Sequence, residues 1–301
     1  MKKQKEIRKQ LFNLLGETPA PIKVSGQTIS TIQTDDYIIE TLSLDLNGIE
    51  DVPAYFVRPT NATGKTPAVL FAHSHGGYYH VGKNELTEGN EYLQNPSYAK
   101  ELSKLGYSAL CIDMWAFGER RGRTEREIYN EMLWSGQVMW GMMIFDQLQA
   151  LDYLCSRPDV DETRIASLGM SMGGTMSWWL AALDERIKVC IDICSLCDYE
   201  SLIETRGLDL HSQYYYVPKL LQHFTTAKIN RLISPRPHLS LAGIYDPLTP
   251  RKGLDIIDQE LKREYAEAGS SEAWKLLRYP IEHFETAAMR KEALSFLTTN
   301  L

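Results

Sequence analysis

The chain has 301 residues, with 32 Lys and Arg against 39 Asp and Glu and a formal net charge of −7. Hydrophobic residues make up 44% and charged residues 24%, a globular composition that excludes a disordered chain. The acidic balance argues against a nucleic-acid surface. Five cysteines, at 111, 155, 190, 194 and 197, are an odd and sparse set that does not read as a disulfide framework.

The start, MKKQKEIRKQLFNLLGE, has a basic flavour, but Glu6 interrupts it and too few apolar residues follow for a secretory signal. It reads as an amphipathic helix over 3–16 ended by Gly16. The longest apolar stretch, 132–145, is too short for a bilayer and stops at Asp146. No membrane span is expected, and the cytoplasm is the default location. Residues 37–44 and 52–57 read as strands joined by a turn at Asn47-Gly48.

From residue 66 the pattern changes. Short apolar runs at 68–72, 108–112, 165–168, 187–193, 238–242 and 274–279 alternate with helical segments at 94–104, 137–157, 173–183, 252–267 and 285–298. Strands buried on both faces look like this, which predicts a parallel sheet with helices on each side. Residues 195–232 break the rhythm and are expected as a cap-like insertion in an otherwise single domain, 1–301.

The strongest signal is Gly169-Met170-Ser171-Met172-Gly173, reached from a strand and followed at once by a helical segment. A nucleophilic serine needs a sharp strand-to-helix turn that exposes its hydroxyl, and glycines on either side permit the close approach. The N–H of Met172 then faces the developing oxyanion at a helix N-terminus. A base and an orienting acid must complete the set. His283 lies between the last strand and the last helix, and Asp246 follows the strand that ends near 242. The order Ser171, Asp246, His283 suits a sheet enzyme of this kind. Asp192 and Asp198 are rival acids, with Asp192 better placed for a buried structural role.

The run His73-Ser74-His75-Gly76-Gly77-Tyr78 leaves the first long apolar strand. Either Gly77 or Tyr78 would supply the second oxyanion N–H. His73 and His75 are too few donors for a metal, so none is expected, and the imidazoles are read as orienting the loop. Asp113 and Arg120 are expected to pair and brace the pocket, with Glu119 competing. Trp115, Tyr79 and Tyr215 are candidate pocket residues, and Trp134 and Trp140 further wall candidates. Cys190, Cys194 and Cys197 are treated as structural.

Together these residues resemble the α/β-hydrolase superfamily. The stretches that carry the likeness are 72–77, 113–120, Asp152-Tyr153-Leu154 before Arg157-Pro158, 164–174, 234–237, Gly243 with Asp246, and His283. The closer similarity is to bacterial acetyl xylan esterases, cephalosporin-C deacetylases and dienelactone hydrolase-like proteins. Dienelactone hydrolase itself matches less well, since its usual nucleophile is Cys where this chain has Ser171. The resemblance implies a mostly parallel, eight-stranded sheet with an antiparallel N-terminal edge. It implies Ser171 as nucleophile, Asp246 as acid, His283 as base, and no cofactor. The expected activity is hydrolysis of a small-molecule ester with a short acyl group, including carbohydrate O-deacetylation. A prolyl-oligopeptidase-like peptidase and a non-catalytic binding protein are the alternatives, and a homo-oligomer is left open.

Overall fold

The computed structural model describes residues 2–301. Its strands are β1 (Ser25–Gln33), β2 (Tyr37–Asp45), β3 (Asp51–Pro59), β4 (Thr66–Ala72), β5 (Ser108–Ile112), β6 (Val160–Met170), β7 (Ile187–Ile193), β8 (His238–Gly243) and β9 (Trp274–Tyr279). The α-helices are α1 (Lys2–Asn13), α2 (Glu85–Glu88), α3 (Tyr98–Lys104), α4 (Glu125–Trp134), α5 (Met139–Ser156) and α6 (Met172–Leu183) in the first part of the chain. Then come α7 (Tyr199–Glu204), α8 (Leu220–His223), α9 (Thr226–Asn230), α10 (Arg251–Glu267) and α11 (Ala287–Asn300).

The strands form one sheet in the order β1-β2-β3-β5-β4-β6-β7-β8-β9. From β5 across to β9 every pair is parallel, while β1–β2, β2–β3 and β3–β5 are antiparallel. This is the α/β-hydrolase fold. Strands β2 to β9 are the eight expected, and β1 adds a ninth at the edge. Its sequence, SGQTISTIQ, carries no run of apolar residues, and every one of its residues is exposed. None of its side chains enters the core, so no hydrophobic period marks it.

The central strands β4, β5 and β8 are buried almost throughout, as strands covered on both faces must be. Core residues divide into two clusters, one containing the aromatic residues Trp140, Trp178 and Trp179 and the other Phe71 and Tyr98. Helix α1 is tied down by Arg8, which donates to the carbonyls of Ala182 and Leu232. Among the described residues no helix is long and apolar enough to cross a membrane.

Between β7 and β8 the chain makes α7, two single 3-10 turns, α8 and α9 before returning to the sheet. The 208–216 part of this excursion lies against the carboxyl ends of the strands. There Tyr214 stacks on His75, with ring centroids 5.4 Å apart and an interplanar angle of 24°.

Candidate active site

Ser171 occupies the single-residue turn between β6 and α6, with φ 56° and ψ −122°. A non-glycine residue at positive φ is uncommon and costs energy, so the surroundings must impose it. They do so through two glycines. A Cβ on Gly173 would stand 1.9 Å from the Ala72 carbonyl oxygen, and one on Gly169 would stand 2.4 Å from the Gly173 backbone. The Ser171 N–H donates to Ile193 at 2.8 Å, fixing the turn on the neighbouring strand. Met172 opens α6, so its N–H has no partner inside the helix.

Asp246 and His283 come from adjacent loops that are zipped together. Ile244 N–H donates to Tyr279 at 2.8 Å and Tyr245 N–H to Ile281 at 3.1 Å. Gly243 permits this, because a Cβ there would meet the Glu282 carbonyl oxygen at 2.2 Å. His283 Nδ1 stands 2.7 Å from Asp246 Oδ2, and Asp246 Oδ1 accepts from Leu248 N–H at 2.9 Å. The carboxylate is buried, so its partner is well defined. With Nδ1 engaged, Nε2 is the ring nitrogen left to exchange a proton. Asp192 instead holds His238 at 2.8 Å inside the sheet, and Asp198 caps α7.

Two residues beyond His283, Glu285 anchors the loop. It accepts from Gln94 N–H at 2.9 Å, from the Tyr98 hydroxyl at 2.5 Å and from Arg290 at 2.6 and 2.8 Å. Tyr92, on the same segment as Gln94, meets the His283 ring edge-on at 6.2 Å. No sequence signal pointed to this support.

Ser171 and His283 line one cleft of about 960 Å³. Its walls are the 74–77 loop, Tyr92, Phe284 and the 208–216 segment. The expected oxyanion donors are differently engaged. Gly77 N–H donates to His75 Nδ1 at 3.0 Å, and Tyr78 N–H to the His75 carbonyl at 2.9 Å. The loop closes a tight turn on His75, and both N–H groups are spent on it. His73 Nδ1 donates to the Ser74 carbonyl and Nε2 accepts from Met114 N–H, so both of its nitrogens serve the loops.

The aromatic expectations change as well. Trp115 is buried under the Arg120 guanidinium, 4.3 Å from its ring, and does not line the cleft. Tyr79 points its hydroxyl at Glu125, 2.7 Å away, and supports the cleft from outside. Tyr215 stacks on His211 with centroids 4.1 Å apart and lines a small pocket beside Ser171. Trp134 is 93% exposed and Trp140 is buried behind Tyr214. Asp113 does not pair with the Arg120 side chain through its carboxylate. That carboxylate binds Lys83, 3.0 Å away, and Lys83 also takes Glu119. Arg120 pairs with Asp146 at 2.9 Å and Glu50 at 2.7 Å.

Glu125, which the sequence did not single out, joins the two walls. Its buried carboxylate accepts from His75 Nε2 at 2.9 Å, Tyr79 at 2.7 Å, Ser212 Oγ at 2.5 Å and Tyr214 N–H at 3.1 Å. Burial works to raise its pKa, but the bonds from His75, Ser212 and Tyr79 outweigh burial and lower it to about 2.

One group of possible metal donors is present among the described residues: Cys194, Asp246 and His283, whose donor atoms lie within 4.8 Å of one another. Asp246 and His283 are already bonded together, and burial pushes the Cys194 thiol far above its ordinary pKa. The cluster is accounted for as the Asp246–His283 hydrogen-bonded pair beside a buried cysteine.

The acetyl xylan esterase (AXE1) family model matches residues 25–231. The chain belongs to the acetyl xylan esterase family. It is 55% identical over 292 residues to the protein YtaP of Bacillus subtilis (strain 168), covering 97% of this chain and 98% of that one. Among solved structures, the glucuronoyl esterase from Solibacter usitatus superposes with a TM-score of 0.70 at 16% identity, over 97% of this chain and 91% of that one. An acetyl xylan esterase from Paenibacillus sp. R4 gives 0.67 at 18% identity, over 99% and 93%. At such identities these two show the shared fold. Family and fold together assign the chain to the carboxylesterases.

Proposed function

We propose that this family member is a serine carboxylesterase that removes short acyl groups, acetyl foremost, from hydroxyls of neutral, carbohydrate-like alcohols. The observation that carries the reading is the strained Ser171 turn sharing one cleft with a His283 imidazole held 2.7 Å from Asp246. Ser171 Oγ attacks the acyl carbon while His283 takes its proton, and Asp246 holds the imidazole. The alcohol leaves with that proton, and water then releases the acid. Met172 N–H is one oxyanion donor. With Gly77 and Tyr78 engaged, the second comes from the N–H of His75 or Gly76, for which no acceptor is found among the described residues. We read residues 1–301 as one domain, with 195–232 as its cap.

The cleft chemistry supports a neutral substrate. Asp209 and Glu282 line it, and no Lys or Arg does. A substrate carboxylate would find no counter-charge there, whereas a sugar finds Tyr92, Tyr214, Tyr216 and Phe284 to pack on. The test compares kcat/KM for p-nitrophenyl acetate, butyrate and octanoate and for acetylated xylose, with and without a chelator. Wild type is expected to prefer acetyl in a graded way, each extra methylene changing the rate by roughly 10-fold or more. Chelation should not matter. Ser171→Ala should lose activity by about 10⁴-fold or more while keeping its fold. Turnover near wild type in that variant would remove serine catalysis from the account.

A further inference from the structure

A second pocket, of about 20 Å³, shares Ser171, His211 and His283 with the cleft and adds Thr249 and Tyr215. Three of these residues carry a buried polar atom with no hydrogen-bond partner: His211 Nε2, Thr249 Oγ1 and Tyr215 Oη. Buried polar atoms are paired as a rule, and each exception calls for an explanation. Here three exceptions belong to the lining of one small pocket beside the nucleophile.

The residues are held in place. His211 stacks on Tyr215 at an interplanar angle of 8°, and Tyr215 packs edge-on against Tyr199 with centroids 5.4 Å apart. Thr249 belongs to the turn that carries Asp246, its N–H donating to the Asp246 carbonyl at 3.4 Å. The pocket is therefore fixed relative to the partner of His283. An acyl methyl placed there would leave His211 Nε2 and Thr249 Oγ1 unpaired. One water needs roughly 10–15 Å³ and two to four polar partners, and both requirements are met.

We propose that this pocket holds the water that deacylates the enzyme, with His211 and Thr249 as its positioning residues beside His283. The proposal rests on the Ser171 acyl-enzyme reading above. In the step, the water oxygen bonds to the acyl carbon as one of its protons passes to His283 Nε2. The bond from the acyl carbon to Ser171 Oγ then breaks, Oγ recovers the proton from His283, and the carboxylic acid departs. Burial, aided by the nearby His283, lowers the His211 pKa to about 4. At neutral pH the ring is therefore uncharged, and Nε2 offers the water a donor or an acceptor according to its tautomer.

The test is partitioning of the acetyl-enzyme formed from p-nitrophenyl acetate between water and benzyl alcohol, which is too large for the small pocket and must enter through the cleft. The ratio of benzyl acetate to acetate reads only events after acylation, so a purely structural effect on acylation does not move it. Thr249→Val keeps the shape and removes the hydroxyl, and His211→Phe keeps the stack on Tyr215 and removes both nitrogens. Each should raise the ratio by about 3-fold to 10-fold, the weight of one lost hydrogen bond. Thr249→Ser should restore it. The two substitutions lie on different segments, so a folding failure in one leaves the other to decide. An unchanged ratio with Ser171 essential overturns the water site alone. Turnover that survives Ser171→Ala overturns the acyl-enzyme, and this proposal with it.

Discussion

Ser171 and its two flanking glycines show how little freedom a single position can have. The serine is held at φ 56° because α6 begins directly against β4, and only a residue without Cβ fits where Gly173 meets Ala72. Gly173→Ala must push backbone against backbone at 1.9 Å, with no flexible side chain to give way. It is expected to cost about 3 kcal/mol or more and to lower soluble yield, read by urea unfolding of whatever folds. Gly77 makes the contrast. Nothing lies within 4 Å of a Cβ there, and only its φ of +78° resists substitution. Gly77→Ala should cost about 1–2 kcal/mol. Equal costs for the two would mean that backbone strain, and not contact, governs both. At Asp246 the effect is chemical. Asp246→Asn keeps the volume but loses the acceptor for an imidazole Nδ1–H, so kcat should fall by roughly 10³–10⁴-fold with stability little changed. A fall of less than 10-fold would show that another group orients His283.

At the scale of elements, the site depends on loops held from behind. The loop after β9 is anchored by the buried Glu285–Arg290 pair, and the loop after β4 is joined to the 208–216 segment through Glu125. Glu125→Ala leaves four donors without their acceptor, among them the Tyr214 N–H and the Ser212 hydroxyl of the 208–216 segment. The expected loss is about 3 kcal/mol. Limited proteolysis should then cut first within 208–216. An unaltered cleavage pattern would mean that the stacking of Tyr214 on His75 and of His211 on Tyr215 holds this segment unaided.

For the whole molecule, buried titratable groups set how stability responds to pH, and they act in opposite directions. Burial lowers the pKa of His73 from the ordinary 6.5 to about 4. A depressed value means that its contribution is present above pH 6.5 and lost as pH falls to 4, at most about 3 kcal/mol. Glu85 is the reverse. Burial raises it from 4.5 to about 7, against the bonds from Ser74 and Asn90 that favour the charged form. Its contribution is present below pH 4.5 and lost as pH rises through 7. Wild-type stability alone would blur the two. The stability difference between wild type and His73→Asn should shrink on acidification from pH 6.5 to 4. That between wild type and Glu85→Gln should shrink as pH rises from 4.5 to 7. Parallel slopes in urea-unfolding series would contradict this assignment.

Much of this protein could be read from the chain alone, because the signals are local. The apolar runs of β4, β5 and β8 and the glycine spacing around Ser171 depend on neighbours in sequence. Strand β1 escaped because a strand with every residue exposed has no hydrophobic period to betray it. The partners of charged groups escaped for a different reason. Arg120 meets Asp146 instead of the Asp113 carboxylate, and Glu125 meets Ser212 and Tyr214 nearly ninety positions away. The N–H groups of Gly77 and Tyr78 were available by spacing, yet the loop folds back on His75 and uses them. A hydrogen bond is chosen by distance and direction within a fraction of an ångström, and only the packed structure brings segments so far apart in the chain to that range.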